Sequence, residues 1–352
     1  MIIAIDISQI VYGTGVSHYR ENLVKSLLQI DGKNEYVLYA GSLRRKRDVL
    51  NFFPQTKVFP IPPILADIVW NKLHILPIER LIGRVDIVHT SDWAEPPSSA
   101  IKVTTVHDII PIKFPKLTPS IIISTHKKRL EWVAKESKKI IVPSESTKND
   151  LIDLGFSEHI IRVIPEAPNL IKASSDDVVR IKTKYGIRED YIISIGTKPW
   201  KNTQRIIEAY HLSKFGKNLK LIIIGEKKGT SFQDERGVRF LGHIENNDLS
   251  ALLTGSQVLV FPSLYEGFGI PILDAFNCCV PVVTSNLSSM PEVSGDAAIL
   301  VDPYNINSIA DGIEKALRGP KGLIKKGLAR VKDFSWTKTA KMTLDVYNEA
   351  KQ

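Results

Sequence analysis

Short runs of consecutive apolar residues alternate along this chain with longer stretches whose apolar positions recur every third or fourth residue. The short runs read as strands covered on both faces, because a half-exposed strand alternates apolar and polar residues and these do not. In the first half they are Ile2 to Ile7, Tyr36 to Ala40, Lys57 to Pro60, Ile87 to His89, Val103 to Val106 and Lys139 to Val142. In the second half they are Tyr191 to Ile195, Leu219 to Ile224, Val238 to Leu241, Val258 to Phe261, Val280 to Val283 and Ala298 to Val301. Strand and amphipathic helix in alternation are the mark of an α/β fold with doubly wound parallel sheets. Between the two sets lie Pro165-Glu166-Ala167-Pro168-Asn169 and Lys172-Ala173-Ser174-Ser175-Asp176-Asp177, rich in turn formers and poor in apolar residues. That segment reads as a linker between two domains.

Length and composition agree with two domains. The chain has 352 residues, 43% hydrophobic and 24% charged, which suits soluble domains of ordinary size. No apolar run approaches the roughly 20 residues of a membrane span. The start, Met1-Ile2-Ile3-Ala4-Ile5-Asp6, lacks a basic leader and reads as a first buried strand, so no secretory signal is expected. The two cysteines, Cys278 and Cys279, are adjacent, where a disulfide is strained; a reducing cytoplasm is the expected setting. No Cys/His spacing marks a metal site.

The net charge of +9 points to an anionic partner. Basic residues gather in Arg44-Arg45-Lys46-Arg47 and from Lys127 to Lys139, a stretch that also carries Leu130, Trp132 and Val133. The second stretch fits an amphipathic helix on anionic lipid headgroups, or equally an ordinary helix with a solvated basic face. Peripheral contact with the inner face of a membrane is therefore an expectation. No zinc finger, basic zipper or aromatic ribonucleoprotein motif accompanies the charge, so no nucleic-acid role is expected.

The chemistry concentrates in Phe261-Pro262-Ser263-Leu264-Tyr265-Glu266-Gly267-Phe268-Gly269-Ile270-Pro271-Ile272-Leu273-Asp274-Ala275. A buried strand, a turn with two glycines and a helix follow in order, and a helix N-terminus attracts phosphate through its orphan N–H groups and dipole. Glu266 before the turn and Asp274 within the helix place two carboxylates where they can accept from sugar and ribose hydroxyls. A helix cap that merely packs is the competing structural reading.

This segment and its continuation resemble the donor-site signature of the retaining GT-B glycosyltransferases of family 4: an acid, Gly-Phe-Gly, and a second acid eight positions on. The continuation comprises Pro281-Val282-Val283-Thr284-Ser285-Asn286, Met290-Pro291-Glu292-Val293, Gly295-Asp296-Ala297-Ala298 and Val301-Asp302-Pro303. The resemblance implies two Rossmann-like domains facing across a cleft, with the last helix returning to the first domain. The acceptor-binding domain is then 1–168 plus 336–352, and the donor-binding domain 169–335. Asp274 stands where the family has glutamate, Cys279 where it has glycine, and Trp200 where it has arginine.

Carried over residue by residue, the resemblance implies that Glu266 holds sugar hydroxyls and Asp274 the ribose. The N–H groups around Gly267, Phe268, Gly269 and Ile270 then hold sugar or phosphate. Lys201, in Gly196-Thr197-Lys198-Pro199-Trp200-Lys201-Asn202, matches the phosphate-binding lysine, with Lys198 beside it. His243 and Ile244 fall at a strand end near the nucleotide base, and Gly13 and Gly15 in the glycine turn after the first strand. His107, in Val106-His107-Asp108, matches a histidine that donates to the sugar or diphosphate. A histidine satisfied by the fold is the plainer reading, and His89 occupies a similar strand-end position.

The implied activity is transfer of a mannose- or glucose-type hexose, with retention, from a nucleoside-diphosphate sugar of GDP or UDP type to a hydroxyl of a glycan or lipid-linked acceptor. Surface polysaccharide assembly is the expected context. No cofactor and no metal are implied, because helix dipole and lysine do that work. The alternatives are an inactive nucleotide-sugar-binding scaffold, a nucleotide-sugar epimerase of the same fold, and a basic lipid- or nucleic-acid-binding protein.

Overall fold

The computed structural model describes residues 1–91, 93–214, 219–227 and 235–352. The chain divides into two compact units, Met1–Glu166 with Ser335–Gln352, and Ala167–Phe334. Each is built on a parallel sheet.

In the first unit, strands β1 (Ile2–Asp6), β2 (Glu35–Gly41), β3 (Lys57–Phe59), β4 (Ile87–Ser91), β5 (Ile101–Thr105), β6 (Ser137–Val142) and β7 (Ile161–Val163) lie in the order β3-β2-β1-β4-β5-β6-β7. The direction of winding reverses between β1 and β4, and a crevice for ligands opens at the carboxyl ends of strands at such a point. Ile3, Ile5, Val103 and Ile141 pack with Leu23 and Leu27 of the helix Gly15–Ile30. The closing helix Trp336–Lys351 adds Ala340, Val346, Tyr347 and Ala350 to the same core. Burying a Leu or Ile side chain contributes about 1.5–3 kcal/mol, so this core fixes the strand ends that follow.

In the second unit, β8 (Tyr191–Ile195), β9 (Lys220–Ile224), β10 (Val238–Phe240), β11 (Leu259–Phe261), β12 (Val282–Ser285) and β13 (Ile299–Val301) lie in the order β10-β9-β8-β11-β12-β13. Here the reversal falls between β8 and β11. Ile193, Leu259 and Phe261 enter one core with Ile272 and Phe276, whereas Ile192 and Val260 enter the other with Ile223 and Ile309. Neighbouring strand residues thus serve opposite faces, the physical reason for unbroken apolar runs.

Three expectations change. β7, three residues with a half-buried Arg162 at its centre, carries too little pattern to have been read as a strand. The segment read as a linker is not a free connector: Glu166, Ala167 and Leu170 are buried, and Ser174 caps the helix Ser175–Lys184 by accepting from the Asp177 N–H. The basic stretch 127–139 is helix only to Glu136 and then enters β6. Its Leu130 and Val133 are buried, so that apolar face belongs to the protein interior rather than to lipid. Among the described residues no helix is long and apolar enough to cross a membrane.

Candidate functional site

The two loops that flank the reversal point of the second sheet carry the expected donor residues. After β8 the chain turns at Gly196, whose φ of 96° is left-handed, and passes through the 3-10 turn Pro199–Lys201 to the helix Thr203–Leu212. Lys201 folds back over this turn. A Cβ on Gly196 would stand 2.8 Å from Lys201 Cγ, so glycine is required both for the dihedral and for the passage of the lysine stem. Lys201 Nζ lies 4.7 Å above the Phe261 ring and donates to Glu266 Oε1 at 2.7 Å. The phosphate-type cation and the sugar-type carboxylate are therefore brought together, both mostly buried at 18% and 12% side-chain exposure.

Asn202, itself left-handed, donates from Nδ2 to the carbonyls of Pro262 and Pro303, tying the β8 loop to those after β11 and β13. The Leu264 N–H donates to the Trp200 carbonyl at 2.7 Å. Trp200 thus shares a backbone link between the loops, and Lys198 is exposed beside it.

The loop after β11 is pinned from below. Ser288 Oγ donates to the Glu266 carbonyl, and Ser289 Oγ donates to the carbonyls of Glu266 and Phe268. Gly269, with φ of 110°, caps the helix Ile270–Asn277; in the first turn Pro271 has no N–H and the Ile272 N–H donates to the Gly269 carbonyl at 3.0 Å. Phe268 is buried, edge-on to Phe334 at 5.9 Å. Neither serine was singled out in the sequence; their signal is only a Ser-Ser step before Met290-Pro291.

Asp274 departs from expectation. It is 6% exposed, and its Oδ1 accepts the N–H groups of Asn169 and Leu170 at 2.6 and 2.9 Å. The carboxylate expected on a ribose instead holds the chain's own backbone. Burial pushes its pKa up to about 7, with the two N–H groups working in the opposite direction. Asn277 Nδ2 and Ser250 Oγ donate to the Leu170 and Ile171 carbonyls, and the Ala173 N–H donates to Thr254 Oγ1. Residues 169–173 are thereby stitched to two helices. The helix ends in paired C-terminal bonds, Val280 N–H to Ala275 O and Cys279 N–H to Phe276 O, with Cys279 left-handed at φ of 61°.

Thr197 Oγ1 donates to the Glu226 carbonyl, and its side chain fills the space a Cβ on Gly225 would need. Of the pair expected near a base, His243 is exposed, whereas Ile244 is 6% exposed and part of the core. Ile244 is thus a packing residue.

In the first unit, Gly13 takes a left-handed φ of 64° and Thr14 caps the helix that starts at Gly15, in a reciprocal bond pair with Ser17. His107, just past β5, is 8% exposed. Its Nδ1 lies 3.1 Å from Glu166 Oε1, Tyr19 meets its ring edge-on at 4.6 Å, and its Nε2 is buried without a hydrogen-bond partner. His89 differs: Nδ1 pairs with the Tyr347 hydroxyl and Nε2 with Thr105 Oγ1, and burial holds its pKa well below the usual histidine range. His89 is a structural residue.

Among the described residues no group of three or more His, Cys, Asp or Glu side chains is placed to hold a metal ion. The chemistry present is a cation and a carboxylate beside a helix N-terminus, which matches a ligand that is anionic at one end and hydroxylated at the other.

The family model described as "Glycosyl transferases group 1" matches residues 179–328, and that described as "Glycosyltransferase Family 4" matches residues 13–170. The O-antigen chain mannosyltransferase B of Escherichia coli is 31% identical over 284 residues, 74% of each chain. The serotype-specific mannosyltransferase WbdA of Escherichia coli is 28% identical over 235 residues, 60% of this chain and 29% of that protein, so the chain spans under a third of its length. The crystal structure of Anabaena Alr3699/HepE in complex with UDP and glucose superposes with a TM-score of 0.75 at 15% identity, covering 99% of this chain and all of that one. With both halves matched and such a relative over most of its length, the chain belongs to the family 4 glycosyltransferases of GT-B fold.

Proposed function

We propose that this glycosyltransferase moves a hexose, of mannose or glucose type, from a nucleoside-diphosphate sugar to a hydroxyl of a glycan or lipid-linked acceptor, with retention at the anomeric carbon. The observation that carries the reading is the Lys201–Glu266 pair at the reversal point of the second sheet. Lys201 receives the diphosphate and neutralises the charge that builds as it departs. Glu266, released from the lysine, accepts from sugar hydroxyls, and the N–H groups from Phe268 to Ile270 cradle phosphate or sugar. The acceptor oxygen bonds to the anomeric carbon on the face the diphosphate leaves, and the acceptor's proton passes to the departing phosphate. No protein nucleophile is needed. His107 donates from Nε2 to an oxygen of the donor. Asp274 stays a backbone anchor.

The mannosyl donor is supported by the names of the relatives in Escherichia coli, and a UDP sugar by the Anabaena complex. O-antigen-type polysaccharide assembly is the matching context. Contact with an anionic bilayer is supported by exposed Ile64, Leu65, Ile68, Leu73 and Ile75, all within one short segment beside the lysine-bearing helix Ser120–Glu136. Vesicles containing phosphatidylglycerol should retain the protein at low salt, and Ile64→Ser with Ile75→Ser should release it.

The decisive test of the reaction is incubation with UDP-glucose or GDP-mannose and a mannoside acceptor. An NMR spectrum showing an α-linked product from an α-linked donor supports the reading. Turnover with inversion refutes the retaining step, and binding without turnover supports a scaffold.

A further inference from the structure

Glu166 falls in a segment that the sequence pattern assigns to a linker, yet it is 5% exposed and its carboxylate meets His107 Nδ1 at 3.1 Å. The opposite nitrogen, Nε2, is buried and makes no hydrogen bond within the protein. An unpaired buried polar atom costs free energy, and native folds leave few of them. The contrast with His89, both of whose nitrogens are bonded, shows that this fold can satisfy a buried histidine fully.

We propose that Glu166 is a positioning residue for the transfer reaction: its carboxylate holds the Nδ1–H of His107, so that Nε2 is kept for an oxygen of the nucleoside-diphosphate sugar. The inference rests on the transferase reading above. A carboxylate on Nδ1 fixes the ring's orientation and which nitrogen carries the proton of the neutral ring. When Nε2 also carries a proton, its N–H is the donor turned toward the oxygen on which negative charge grows as the leaving group departs. The proton stays on the ring, and no covalent bond to the protein forms.

The groups around the ring are consistent with this assignment. From the helix Gly15–Ile30, Tyr19 packs edge-on with its phenol pushed up to about 12 by burial, and Arg20 follows it. From β4 comes His89, kept neutral by burial, and from the closing helix Trp336 packs on Tyr19 at 5.9 Å. Asp108, next in sequence, turns its Oδ1 to the Ile110 N–H. Among these, Glu166 brings negative charge into contact with the imidazole.

The test compares wild type, Glu166→Gln and Glu166→Ala by long-range proton–nitrogen NMR, with the His107 signals assigned from their loss in His107→Asn. Initial rates are measured across pH with UDP-glucose and GDP-mannose. Wild type should show neutral His107 protonated at Nδ1. Glu166→Gln keeps a carbonyl acceptor and should keep that tautomer, whereas Glu166→Ala should shift it toward Nε2–H. Loss of the negative charge in Glu166→Gln should lower kcat about tenfold, with donor KM and melting temperature little changed.

A neutral wild-type ring with its single proton on Nε2, or a Glu166→Gln enzyme with unchanged kcat, overturns the proposal. Equal losses of rate and thermal stability in both variants also overturn it, because a purely structural contact behaves that way. If neither donor supports turnover in wild type, the transferase reading is what fails, and the spectra still decide whether Glu166 sets the His107 tautomer.

Discussion

Replacing Asp274 by asparagine should stabilise the protein at neutral and alkaline pH while leaving it unchanged in acid. In the folded protein burial lifts the Asp274 pKa from 3.8 to about 7. Because the folded form binds the proton more tightly than the unfolded chain, this group favours folding fully below about pH 4 and progressively less as pH rises to about 7. A shift of that size corresponds to about 4 kcal/mol, at 1.36 kcal/mol per pH unit, taken as an upper bound. Asparagine keeps an Oδ1 acceptor for the Asn169 and Leu170 N–H groups and cannot ionise. The difference in melting temperature between Asp274→Asn and wild type should thus be near zero at pH 3, begin to grow near pH 4 and continue to grow through pH 7. It should level off at several degrees, on the order of 10 °C if the full energy is realised in a unit of this size. Scanning calorimetry or urea unfolding from pH 3 to 8.5 reads this directly. A pH-independent difference, or an asparagine variant less stable than wild type at pH 8, would refute the reasoning.

Two further substitutions test local geometry. Cys279→Gly should raise stability by about 1 kcal/mol, because Cys279 sits at the left-handed helix C-terminus that glycine adopts without strain; unfolding in denaturant should show the midpoint moved upward. Gly196→Ala should cost about 1–3 kcal/mol from its positive φ and, by displacing the Lys201 stem, should weaken nucleotide diphosphate binding; titration calorimetry would expose an unperturbed Kd as a failure of the argument.

Much of the fold is legible because parallel strands covered on both faces leave unbroken apolar runs. Ile192 and Ile193, or Val260 and Phe261, serve opposite cores and so leave no polar gap. Ile161–Val163 escaped because an edge strand this short, with Arg162 at its centre, lacks the pattern. Lys201 and Glu266 were legible through the strand-turn-glycine spacing, and the fold brings them into contact. Their supports were not. Ser288 and Ser289 act through hydroxyls on distant carbonyls, which no local periodicity records. Glu166 and Asp274 mislead for a shared reason: a carboxylate in sequence signals solvent or ligand, whereas burial here directs one to His107 and the other to backbone N–H groups. Leu130 and Val133 are the reverse case, an apolar stripe that fits lipid in isolation and fills the protein core in fact.

In the proposed reaction Lys201 and Glu266 open toward opposite ends of a nucleoside-diphosphate sugar. Thermal stabilisation by UDP, GDP, ADP and their sugars, on wild type, Lys201→Ala and Glu266→Ala, tests it most directly. Ligand at a hundredfold excess over Kd stabilises the native state by about 2.7 kcal/mol, enough for a clear shift. Wild type should respond to one nucleotide class, with the response lost for diphosphate and sugar forms alike in Lys201→Ala. In Glu266→Ala the response to the bare diphosphate should persist and the added effect of the sugar should vanish. No response to any nucleotide in wild type, or equal responses in all three proteins, would contradict it.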